Sequence, residues 1–174
     1  VIILVLPYPI SANDYWRSRT VAQKGTGRTI AISYVTDEAR KYKEDVAWRA
    51  RAAGVRAPIL GRVSVSIELY PQRPLDWQTR QRKHGDAWDN DVRCIDLDNA
   101  RKVLFDALKG VAFEDDKWIW HDPGMRMEPD AHGARVVVRV EPYKRPVAAE
   151  QLGLCLELPS APSLAFATSE PAPF

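Results

Sequence analysis

The sequence predicts an α+β fold: a single domain with a mixed β-sheet packed by two main helices, then a flexible C-terminal tail. Three observations predict it. Apolar residues recur at helical spacing in one long segment, and a second long segment opens on a helix cap. Three shorter segments are rich in β-branched or alternating apolar residues. The two kinds interleave as strand, helix, strand, helix, then one or two strands. The domain is expected over 1–143, and the tail, rich in Pro, Ala, Ser and Glu, over 144–174.

Val1 to Leu6 is apolar and β-branched and reads as the first strand, broken by Pro7 and Pro9. Asp14 to Ile32 reads as a loop. Thr36 caps a helix over Asp37 to Ala53, with Asp37 and Glu38 favourably placed in its first turn. Gly54 and Pro58 end it. From Arg62 to Tyr70, Val63, Val65, Ile67 and Leu69 alternate with Ser64, Ser66 and Glu68, the pattern of a half-buried strand. Pro71 to Arg93 is long and polar and reads as an exposed loop. Asp98 to Lys109 is a helix with Ala100, Val103, Leu104, Ala107 and Leu108 on one face, stopped by Gly110. Val111 to Trp120 reads as an acidic turn entering a strand. Arg135 to Val140 is the last strand, and Pro142 closes the domain.

At 174 residues and 45% hydrophobic content the chain can bury a useful core. No apolar run is long enough for a membrane-spanning helix. The opening strand is too short for a signal peptide, and from a start at Val1 rather than Met the natural N-terminus is expected a few residues upstream. Cys94 and Cys155 form neither a disulfide framework nor a zinc pattern, so a reducing cytoplasm is the expected setting. His84, His121 and His132 share no ligand spacing.

Net charge is only +2, but its distribution is uneven. Basic residues crowd Arg17 to Arg28 and Arg73 to Arg93. Acids gather at Asp96 to Asp98 and Glu114 to Asp116. A basic surface around an acidic centre suits a protein that holds a polyanion over a metal ion.

Metal-dependent phosphodiester cleavage needs carboxylates converging on a hard cation. Magnesium takes oxygen ligands, keeps some waters, and polarises phosphate and water. Asp96 and Asp98 are two apart, so an extended entry into the helix points both the same way. Lys102 follows Asp98 by one turn and suits a phosphate or a leaving oxygen. A strand returning from Asp115 and Asp116 brings one of them to the same place. Aspartates at a helix start also serve as caps, and an acidic turn can simply be solvated. A calcium loop starting at Asp96 is excluded, because Arg101 and Ala107 stand where Gly and Glu are required.

The string Asp96-Leu97-Asp98-Asn99, then Lys102, Phe105-Asp106-Ala107-Leu108 and Asp115-Asp116, resembles the signature of RusA-type Holliday junction resolvases. Leu6-Pro7-Tyr8-Pro9 with Ser11 and Asn13 is similar to the family's opening strand and turn. The resemblance implies a magnesium-dependent homodimer, manganese being a possible substitute, that nicks paired strands of four-way DNA junctions. It assigns catalysis to Asp96, Asp98, Asp116 and Lys102, and the metal to the three aspartates with Asp115 as the alternative third acid. Asn13 becomes a site-shaping residue at the DNA.

Aromatics interleave with cations in two stretches. Tyr15, Trp16, Arg17, Arg19, Lys24 and Arg28 form one. Arg73, Arg80, Arg82 and Lys83, with Trp77 and Trp88, form the other. Cations neutralise phosphates and aromatics stack on unpaired bases, so both stretches are expected at branched DNA. Two other functions fit the same residues: a nuclease acting on flaps and forks, and a non-catalytic binder of branched DNA. Acids beside phosphates would repel DNA without a cation, which argues against the binder. A scaffold role for the tail is a further expectation.

Overall fold

Alternation sets the sheet. Strands β1 (Ile2–Pro7), β4 (Val63–Tyr70) and β7 (Arg135–Pro142) each carry apolar side chains at every second position. Leu4, Leu6, Val63, Val65, Ile67, Leu69, Val136, Val138 and Val140 are buried together on one face. β7 lies in the middle, antiparallel to β1 on one side and to β4 on the other. Two short strands, β5 (Ile119–His121) and β6 (Gly124–Arg126), run parallel to successive parts of β4, which makes the sheet mixed. The computed structural model describes residues 1–145 except 24, 26 and 27, and Val1–Lys144 form one compact unit.

Two helices cover the apolar face. Thr36 accepts a hydrogen bond from the Ala39 amide and starts α2 (Asp37–Ala52), which buries Ala39, Tyr42, Val46 and Ala50. Helix α4 (Leu97–Leu108) buries the stripe Ala100, Val103, Leu104, Ala107 and Leu108. Gly110 then turns the chain at φ 72°, a conformation that favours glycine. The α+β class, the mixed sheet and both main helices are as the sequence predicts. Among the described residues no helix is long and apolar enough to cross a membrane.

Three expectations need correction. Asp14 to Ile32 is not a loop. It holds a one-turn helix α1 (Ala12–Tyr15) and a hairpin of β2 (Trp16–Ala22) and β3 (Thr29–Val35). Neither strand buries a side chain, although Ile30, Ile32 and Tyr34 alternate with Thr29, Ala31 and Ser33 in β3, a strand signal that the loop reading passes over. Pro71 to Arg93 contains helix α3 (Trp77–His84), which buries none of its residues and so lacks an apolar stripe. Trp88 in the same stretch is buried at 4% exposure, its indole donating to Glu128 at 2.8 Å, so it does not face DNA. Apart from Lys144 and Arg145, the tail expected over 144–174 lies outside the described residues.

Candidate active site and nucleic-acid surface

The start of α4 is fixed from behind by Tyr8. Its hydroxyl accepts from the Ile95 amide at 2.9 Å and donates to Cys94 Sγ at 3.3 Å. Burial first, and then the Cys94 contact, pushes the Tyr8 phenol up to about 12. Ser11 accepts from the Asn13 amide and starts α1 beside the same place. Between them lies an open cleft of about 520 Å³, lined by Tyr8, Ser11, Asn13, Asp14, Asp96 and Asn99 among others. Sequence reasoning left out Asp14 and did not use Tyr8, because no spacing rule links them to Asp96 across more than eighty residues.

Asp96 occupies the N-cap of α4 with an extended backbone, yet its carboxylate accepts no bond from the helix amides. The capping role that competes with a metal role is therefore not exercised. Asp98 sits in the first turn with its side chain 83% exposed and accepts from Arg101 at 3.0 Å. Arg101 also donates to the Asp122 carbonyl at 3.1 Å and approaches the Asp122 carboxylate at 3.4 Å. Its path crosses Gly124, where a Cβ would stand 2.9 Å from a guanidinium nitrogen. Arg101 thus ties Asp98 to the turn between β5 and β6. Lys102 is exposed one turn beyond Asp98.

Asp115 and Asp116 do not join this group. Lys109, directly after α4, pairs with Asp115 at 2.9 Å and with Asp116 at 3.2 Å. The Lys109 ammonium, and then the Lys117 amide, hold the Asp115 carboxyl well below the usual carboxylate range. The helix has 12 residues and rises roughly 18 Å at 1.5 Å per residue, and the second acid pair is held by the lysine that follows its far end. The strand expected to carry them back begins only at Ile119, after the pair. The carboxylate it does bring to the start of α4 is that of Asp122. Among the described residues no three acidic, histidine or cysteine side chains converge to hold a metal within one chain. His121 is engaged elsewhere, with Nδ1 3.0 Å from Ser64 Oγ.

The basic surface is split. Tyr15 is 0% exposed, and its hydroxyl donates to Asp106, which also takes Lys43 at 3.0 Å. This corrects the expectation that Tyr15 meets DNA: its ring is core. Trp16 packs on it at 4.3 Å between ring centroids but stays partly exposed. Arg17, Arg19 and Arg28 project from the hairpin, and Lys24 lies outside the described residues. Around α3, the Arg73 guanidinium lies 4.5 Å from the Trp77 ring centroid. Arg80 is held by Asp76 at 2.9 Å, which lessens its charge towards a phosphate. Arg82 and Lys83 are exposed.

A carboxylate withheld from its helix cap, in a polar cleft, is the arrangement that metal-dependent phosphodiester chemistry needs. The model of the family described as endodeoxyribonuclease RusA matches residues 7–141, from the end of β1 into β7. The chain belongs to the RusA endodeoxyribonuclease family. It is similar to the crossover junction endodeoxyribonuclease rusA of Enterobacteria phage HK97, with 26% identity over 136 residues. These cover 78% of this chain and 90% of that relative.

Proposed function

We propose that the chain resolves four-way DNA junctions by paired nicking, with Mg2+ at Asp96 and Asp98 and Mn2+ as a substitute, in the cytoplasm of a bacterial or phage-infected cell. One observation carries the site assignment: Asp96 stands at a helix cap, withholds its carboxylate from the cap, and lines a polar cleft. Exposed carboxylate oxygens with amide oxygens nearby fit a hard cation that keeps several waters. Such an ion, when bound, polarises the scissile phosphate and lowers the pKa of the attacking water.

The chain's own residues do the rest. Asp96 and Asp98 hold the ion. Asn13 and Asn99 shape the cleft wall. Arg101 fixes the direction of Asp98. Lys102 faces the phosphate or the leaving oxygen, and the amides at the start of α4 favour an anion there. The third carboxylate, Asp116 or Asp115, comes from a second copy, because its own helix carries it to the far end. A homodimer with two such sites nicks two strands related by symmetry, as a four-way junction requires.

Cleavage of a labelled synthetic four-way junction, with and without Mg2+ and beside linear duplex and flaps, tests this. Magnesium-dependent paired nicks in the junction are expected. Equal cutting of flaps would move the reading to a general branch nuclease, and binding without cutting would leave a DNA-binding protein. Asp98→Asn keeps junction binding and removes cutting; loss of both would assign Asp98 to folding instead.

A further inference from the structure

The hairpin β2–β3 has a composition that its fold does not need. Between Asp14 and Asp37 there is no acidic residue, while Arg17, Arg19, Lys24 and Arg28 are basic. Its register sorts the side chains sharply. Arg17, Arg19 and Val21 stand opposite Tyr34, Ile32 and Ile30, so these six share one face. The other face carries Ser18, Thr20, Ala22, Thr29, Ala31 and Ser33, all small, with Trp16 and Val35 at its end next to the core. On the first face Ile30 is 44% exposed, Ile32 38% and Tyr34 41%. A two-stranded ribbon is marginally stable alone; Arg19 lies 5.9 Å from the Tyr34 ring centroid, but the isoleucines of this face stay exposed rather than packed on the core.

We propose that this face is a wedge for the branch point of DNA, an inference that rests on the reading of the chain as a branched-DNA enzyme. Charge complementarity selects the occupant. A second copy would bring two arginines and no acid against two arginines, whereas DNA presents phosphates on both sides of any opening. Arg17 and Arg19 take phosphates. Ile30, Ile32 and Tyr34 enter where stacking is already interrupted, so unstacking costs less there than inside a duplex. A β-ribbon also has the width to enter a groove. The wedge thus contributes junction selectivity, while the acidic site contributes cutting.

The test uses the full chain, a four-way junction with 2-aminopurine at the branch, and the same label inside a duplex. The wild type is expected to raise branch fluorescence and leave the duplex unchanged. Ile30→Ser with Ile32→Ser should remove that rise while keeping the salt dependence of binding. Arg17→Gln with Arg19→Gln should lower the slope of log K against log salt by about 1.8, at roughly 0.9 per phosphate contact. Both lesions lie on exposed positions, and circular dichroism checks that each variant is folded. An unchanged fluorescence rise in the isoleucine variant, or an unchanged slope in the arginine variant, would overturn the wedge while junction cutting stands. A change of oligomeric state in either variant, read by sedimentation, would make the face a protomer contact and also overturn it. No preference of the wild type for the junction over duplex would remove the functional reading and the wedge together.

Discussion

At the scale of single residues, the site depends on side chains that touch no ion. Tyr8 is a positioning residue: one hydroxyl holds the Ile95 amide and Cys94 directly ahead of Asp96. Tyr8→Phe leaves that amide without its partner, and a lost hydrogen bond of this kind costs about 1 kcal/mol, more when the group is deprived of water. Urea unfolding should show a lower midpoint with an unchanged slope. A wild-type midpoint would mean that water replaces the phenol. Asp96 and Asp98 stand out in the sequence because they lie two apart at a helix start. Asp122 and Tyr8 do not, since their places follow from β6 joining β4 and from β1 joining β7, pairings that no local pattern encodes.

At the scale of elements, burial decided what could be read. Helices α2 and α4 and strands β1, β4 and β7 each bury one side, and their periodicity shows it. Helix α3 buries nothing, so its polar sequence reads as a loop although its backbone is regular, whereas β3 alternates Ile30, Ile32 and Tyr34 with smaller residues on a hairpin that buries no side chain. Helix α4 both fills the core and aims the acids. Leu104 is fully buried in it, and Leu104→Ala should cost about 2–5 kcal/mol through lost burial and the cavity left behind. Thermal unfolding measures the loss, and a shift corresponding to less than about 1 kcal/mol would mean that the helix repacks on the sheet.

At the scale of the whole molecule, two predictions follow from how the parts sit. Burial raises the phenol pKa of Tyr8, Tyr15 and Tyr42, with the Cys94 contact adding at Tyr8 and Asp106 at Tyr15. A group whose pKa is raised on folding stabilises fully below its unfolded value and loses that effect as pH rises through the folded one. Stability should therefore be flat up to about pH 10, the ordinary tyrosine range, and fall towards pH 12. Denaturant midpoints across that range, followed beside tyrosinate absorbance, check it; a flat profile would mean that the phenols ionise without unfolding. The second prediction concerns the shared site. On the proposed site, Asp98→Asn and Asp116→Asn are each expected to be inactive alone. Mixed and allowed to exchange subunits, they should recover cutting, since one of the two sites in the mixed dimer then carries every acid. A mixture that stays dead would put all the acids of one site on one chain. The placing of the two acid pairs at opposite ends of α4 has a further consequence for the proposed shared site. A solitary subunit would own only part of a blade, so cutting is expected to grow as the square of subunit concentration until pairing saturates.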